Sequence, residues 1–234
     1  MNLHGKELFK TNHSLFKTDY MKTRLLLLAI FLTPFLANAQ YSEGNKTQLG
    51  FTTSPTFGWI TVTTGQTPTV EPDGMRTGFT YGVLADIPFS ENYYFSTALT
   101  VSTLNAKAIE PGGGKSVYKL QYLELPLTLK LKTREMEDRR FYGQFGLNTG
   151  INIGSKRDII YTNSSVQDEK NKEIGDLINS FRAGLIIGGG AEWKVAENIS
   201  VLTGLSFSNG FSDIFDGEAK AKNSYVALNL GVFF

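Results

Sequence analysis

Between Tyr122 and Lys132 the chain alternates strictly. Leu123, Leu125, Leu127, Leu129 and Leu131 take one set of alternate positions, and Tyr122, Glu124, Pro126, Thr128, Lys130 and Lys132 take the other. Successive side chains of a strand point to opposite faces, so the pattern predicts a strand with one apolar and one polar face. A helix would scatter the leucines around its circumference and set Glu124 and Lys130 among them. The same period recurs on both sides of this stretch. Its apolar sets run Leu49, Phe51, Phe57, Trp59; then Phe79, Tyr81, Val83, Ile87, Phe89; then Tyr93, Phe95, Leu99, Val101. After the leucine strand come Phe141, Phe145, Leu147, Ile151, Ile153; then Phe181, Leu185, Ile187, Trp193; then Ile199, Val201, Leu205, Phe207; and last Val226, Leu228, Leu230, Val232, Phe234. The reading is all-β with eight strands.

Alternation alone does not say which face is outside, because a soluble lipocalin-like barrel alternates too. The second face decides. It holds Gly146, Asn148, Gly150 and Asn152 in one strand, Gly184, Gly188 and Gly190 in another, and Gly204, Ser206 and Ser208 in a third. A face turned to water would be rich in Lys, Glu and Thr. Small polar residues instead fit a narrow lumen. Strands of roughly ten alternating residues are long enough to cross a bilayer at a tilt. Aromatics gather towards strand ends at Trp59, Phe89, Tyr93, Phe141, Trp193 and Phe234, as membrane interfaces favour. The predicted fold is an eight-stranded antiparallel up-and-down transmembrane β-barrel after a cleaved signal peptide. Connections near 90–92, 133–139 and 194–198 are short, and those near 63–75, 105–116, 155–177 and 209–222 are long. That is the periplasmic and outer asymmetry of such barrels. The 155–177 segment is expected to be mobile. Pro55 and Pro126 donate nothing to a ladder, so a bulge or local break is expected at each.

Residues 21–39 read as the signal. Lys22 and Arg24 precede an apolar run from Leu25 to Leu36, and Ala37-Asn38-Ala39 offers a small-residue cleavage site. The run is too short for a spanning helix. Residues 1–20 read as a non-native N-terminal extension with translation starting at Met21, and residues 40–234 as one outer-membrane barrel domain. Loss of the leader changes the composition. The first 39 residues hold five of the 23 Lys and Arg and two of the 22 Asp and Glu, which leaves 18 and 20 and a net charge of −2. No basic footprint for nucleic acid remains. His4 and His13 leave with the leader, and the chain has no cysteine. Neither a Ser-His nor a Cys-His nucleophile can then be assembled, and the commonest metal ligands are missing.

Candidate chemistry is sparse. Pro111-Gly112-Gly113-Gly114-Lys115-Ser116 lacks the first glycine of a phosphate loop, which falls at Ile109, and reads as an outer turn. Gly188-Gly189-Gly190 opens no helix. Asp213, Asp216 and Glu218 lack the spacing of a calcium loop. No catalytic, metal or cofactor site is expected. The inward charges Asp86, Glu124, Lys130, Arg182 and Glu192 are the candidate site: a lumen polar network, paired across an interior too narrow to leave a charge alone.

The signal peptide, the strand spacing, the Tyr122-Leu123-Glu124-Leu125-Pro126-Leu127 block and the terminal Phe233-Phe234 together resemble the PorT-like, porin-like outer-membrane β-barrel family of Gram-negative bacteria. The resemblance implies outer-membrane lipids and the barrel-insertion machinery as partners, with Phe234 as the insertion signal in the last strand. It supplies no catalytic residue. The functional expectation is a non-enzymatic integral outer-membrane protein, structural, adhesive or part of a secretion complex that meets a surface partner through its outer loops. A small porin passing small solutes and a soluble periplasmic lipocalin-like binder are the alternatives. A lipid-modifying enzyme ranks last, because such enzymes use histidine at the rim.

Overall fold

The computed structural model describes residues 46–62, 71–109, 114–161, 167–216 and 220–234. The leader, the N-terminal extension, the first half of the phosphate-loop-like turn and Glu218 lie outside them. Of the chain's two units, Met1–Lys46 and Thr47–Phe234, the second is the barrel.

Eight long strands form it: β1 (Gln48–Val62), β3 (Arg76–Pro88), β4 (Tyr93–Ile109), β5 (Lys115–Lys132), β6 (Arg139–Ile160), β8 (Phe181–Ala196), β9 (Ile199–Gly210) and β10 (Ala221–Phe233). Two short strands, β2 (Glu71–Pro72) and β7 (Glu169–Glu173), add to β4 and β6 beyond the barrel proper. Each long strand pairs antiparallel with its neighbours in the chain, and β10 pairs with β1, so the sheet closes. Closure leaves none of these eight strands with an unpaired edge. Partners followed once around run from Gln48 through Asp86, Ser96, Thr128, Gly146, Ile186, Ser208 and Tyr225 to Gly58, ten residues further along β1. A stagger of this kind goes with strands tilted by about 35–45°.

The apolar face is outside. Phe51, Phe79, Val83, Phe145, Ile187 and Leu205 are exposed, while Asp86, Glu124, Thr128, Lys130 and Arg182 are buried within the ring. That polarity is the reverse of a soluble barrel, and the lipocalin-like alternative is not favoured. Near the chain termini Phe89 meets Tyr93 at 6.1 Å and Phe51 meets Phe234 at 5.7 Å. On the other side Trp59 stacks on Phe207 at 6.0 Å. The short connections lie at the terminal end. Glu137 and Asp138 take positive φ of 48° and 62° between Met136 and Arg139, which exchange backbone bonds of 2.9 and 3.1 Å. Two successive left-handed residues make the hairpin turn whose twist matches the strands it joins.

Two expectations need correction. Two of the long connections are partly strand: β4 and β5 continue as one hairpin to Ile109 and Lys115, and β6 runs on to Ile160. Their outer face changes there from apolar to charged, at Lys107, Lys119, Lys156 and Asp158. These lengths therefore stand in water beyond the lipid belt. A register shift at Gln121/Tyr122 leaves Ile153 unpaired with β5 and marks this change of face. Of the bulge or local break expected at Pro55 and Pro126, the structure shows the break. Pairing of β4 with β5 stops at Thr97↔Leu127 and resumes in the same register at Thr100↔Glu124, and β1 with β10 does likewise between Thr53↔Leu230 and Thr56↔Ala227. Each proline breaks one ladder locally while the strand runs on, and Thr97 Oγ1 donates to the Pro126 carbonyl at 2.8 Å. Second, the described part of 155–177 is ordered by pairing and burial. It contains β7 and a 3-10 turn, Gly175–Leu177, and Ile174 turns into the barrel mouth.

Candidate functional site

The inward positions of β3, β4, β5, β6 and β8 build two charged layers. Near the periplasmic end Lys130 Nζ, the eighth residue before the end of the β5–β6 turn, donates to Asp86 Oδ1 and Oδ2 at 3.0 and 2.8 Å. Lys132, two residues on and so on the same face, lies 2.8 Å from Asp86 and 2.7 Å from Glu192. Glu192 Oε1 is close to that ammonium but off the line a hydrogen bond needs. Ser96 donates to Asp86 at 2.5 Å, and Gln48 accepts from Lys132 at 2.6 Å. Two lysines and two carboxylates make this layer electrically neutral. Tyr94, Tyr142 and Phe233 surround the ammonium groups with their rings 4.2 to 5.6 Å away.

The second layer lies deeper, towards the outer side. Arg182 donates to Glu124 Oε1 at 2.8 Å and to Ser208 at 3.3 Å. Asn148 donates to the same Glu124 oxygen at 3.0 Å, and Ser102 and Tyr225 donate to the other at 2.5 and 3.1 Å. A carboxylate with four donors has the partners that burial demands. Glycines make room for the bulkier inward side chains. Gly190 and Gly204 face each other across β8 and β9, and a Cβ on Gly204 would run into the Tyr142 hydroxyl.

Beyond the second layer the interior turns apolar. Leu104, Leu120, Tyr118, Tyr122 and Ile60 from the strands meet Ile174, Ile178 and Ile214 from the outer connections. Asn179 holds those connections together through bonds of 3.0 Å to the Asp213 and Phe215 carbonyls. Phe215 meets Tyr118 edge-on at 5.4 Å.

All five residues expected in the lumen network are buried and ion-paired, in two separate sets: Asp86, Lys130 and Glu192 in the first, Glu124 and Arg182 in the second. Lys132, which bridges the first set, was missing from the expectation, although its parity places it on the polar face. Asn148, Tyr142 and Tyr225 carry no charge, and only register brings them to the carboxylates. The expectation of a wholly small and polar lumen is corrected by the apolar outer third. Phe234 is exposed on the lipid side. Asp213 pairs with Lys220 at 3.3 Å, and among the described residues no cluster of His, Cys, Asp and Glu is arranged to hold a metal.

A family described as "Outer membrane protein beta-barrel domain" matches residues 38–216. No curated protein matches. Among solved structures, Neisserial surface protein A aligns over 80% of this chain and 95% of its own, at 11% identity and a TM-score of 0.46. OprG from Pseudomonas aeruginosa aligns over 80% and 93%, at 14% identity and 0.41. Ail of Yersinia pestis, solved with the heparin analogue sucrose octasulfate, aligns over 80% and 97%, at 14% identity and 0.34. With more than half its length matched and its strands closed apolar side out, this chain belongs to the outer membrane protein beta-barrel domain family and resides in the outer membrane.

Proposed function

We propose that the protein is a non-enzymatic, non-conducting barrel whose role, structural, adhesive or within a secretion complex, lies in the part that stands beyond the membrane. The observation that carries this reading is the filled lumen. Two neutral charge layers and an apolar plug follow one another along the axis, and eight strands leave an interior only wide enough for side chains. The chemistry open to a partner is concentrated instead on the extension of β4, β5 and β6. Lys119 there is fixed by Asp158 at 2.6 Å and Asn171 at 2.9 Å. The Tyr122–Leu127 block supports a place in the PorT-like branch, and with it a secretion partner. Phe234, at the end of β10 on the lipid side, is available to the insertion machinery as its signal. The absence of histidine and cysteine from residues 40–234 speaks against acyl-transfer chemistry at the rim.

Conductance in a planar lipid bilayer tests this directly. The refolded protein is expected to give no steps, and the Lys132→Ala variant none either, because the outer plug remains. Regular steps from the unmodified protein would replace this reading with the small porin. That second reading draws on one observation, a cavity of about 110 Å³ between the two charge layers.

A further inference from the structure

The interior is sealed differently at its two ends. A cavity of about 110 Å³ lies in mid-barrel, ringed by inward positions of all eight long strands. Its walls set hydroxyls and amides, among them Thr100, Thr128, Gln144, Ser206 and Asn229, between apolar side chains such as Leu84, Ile186 and Leu202. Asn148 also lines it, and its Oδ1 is buried with no hydrogen-bond partner. On the outer side the cavity ends at Glu124 and Tyr225, behind which stand Arg182 and then the apolar plug of Leu104, Leu120, Ile174, Ile178 and Ile214. On the other side it ends at Lys130.

Past Lys130 there is a second cavity, of about 160 Å³, at the end of the barrel where the short turns lie. Arg140, Lys194, Glu197 and Glu192 line it. Lys130 therefore faces the inner cavity and Glu192 the periplasmic vestibule, and both belong to the one cluster of Asp86, Lys130, Lys132 and Glu192. That partition is a single layer of side chains with its aromatic collar. The opposite seal is a charge pair backed by several layers of buried aliphatic groups. An ion-paired lysine can exchange partners or swing on its flexible stem, whereas a packed apolar plug opens only by exposing its surface to water. Lys132 is also the last residue of its strand, adjoining the turn from Thr133.

We infer that the mid-barrel cavity is a one-sided chamber for small uncharged hydrogen-bonding solutes of the size of glycerol or urea, entered from the periplasmic vestibule through the Lys132 cluster and closed towards the outside. Its hydroxyls and amides offer both donors and acceptors, while its charges are already neutralised in pairs. The orphaned Asn148 oxygen asks for a donor, which water, a polyol or an amide supplies.

The chain has no cysteine, so a single Gln144→Cys thiol reports access to the chamber. The probe is methyl methanethiosulfonate, small and neutral, applied to protein that shows the folded band on an unboiled gel. The Gln144→Cys protein is expected to react slowly. Adding Lys132→Ala should speed labelling by about tenfold or more, which corresponds to ~1.4 kcal/mol taken off the opening step. Adding instead Ile178→Ala, which loosens the outer plug at a residue that does not line the chamber, should leave the rate unchanged. If Lys132→Ala gives no folded band, Lys132→Gln takes its place, because it retains the stem and loses the charge. Unchanged labelling with Lys132 replaced, or equal acceleration by Ile178→Ala, would overturn the one-sided chamber.

Discussion

Arg182 shows what a buried charge does in this lumen. Its guanidinium neutralises Glu124, and three neutral donors complete the carboxylate's shell. Arg182→Ala would leave Glu124 buried beside Asn148 and Tyr225 with no cation. Removing one member of such a pair costs about 3–5 kcal/mol, whereas replacing both by uncharged groups of similar shape costs much less. The midpoint of urea unfolding in detergent micelles is therefore expected to fall sharply for Arg182→Ala. It should largely recover in the double variant Arg182→Met with Glu124→Gln. Equal loss in both would mean that volume, not charge, sets the stability there. How Glu124 and Arg182 face the lumen is legible from parity in the sequence, and so is their need for partners. Which partner each takes is not. Strand register decides that Lys130 reaches Asp86 on β3 while Arg182 reaches across to Glu124 on β5, and register depends on turns and bulges that no single residue announces.

At the scale of the strand, β5 carries the clearest signal in the chain and two different environments. Its outward leucines from Leu123 to Leu131 form the lipid face, and its outward Lys119 stands above the belt. Leu127→Arg puts a charge in the middle of that band and is expected to cost about 2–4 kcal/mol of folding free energy in lipid. Lys119→Ala removes a partly exposed ion pair and should cost no more than about 1 kcal/mol. Refolding titrations in phospholipid vesicles separate the two, and equal effects would misplace the belt. Strand existence was readable from the leucines alone, but strand length was not. From Asn105 to Ser116 alternation persists while both faces contain charged or small residues, so the pattern lost its contrast just where the hairpin left the membrane. The prolines were legible too, as local breaks. Antiparallel pairing on the far side of each holds the strand in line, and the break stays in one ladder.

The whole molecule is an inverted barrel: apolar outside, charged and hydrogen-bonded inside, with an apolar plug at the outer mouth. The plug escaped the sequence reading because Ile174 and the pairs Leu177-Ile178 and Ile214-Phe215 stand in polar connections and have no period to betray them. In the closed barrel they lie together, and Asn179 ties one connection to the next. The inversion has one direct test. The refolded chain, in detergent micelles, is run on a denaturing gel with and without boiling. A closed membrane barrel resists the gel detergent until heated, so the unboiled sample is expected to migrate as a separate, folded band. A single band in both samples, from protein that is soluble and folded without detergent, would contradict the account and put the apolar face on the inside.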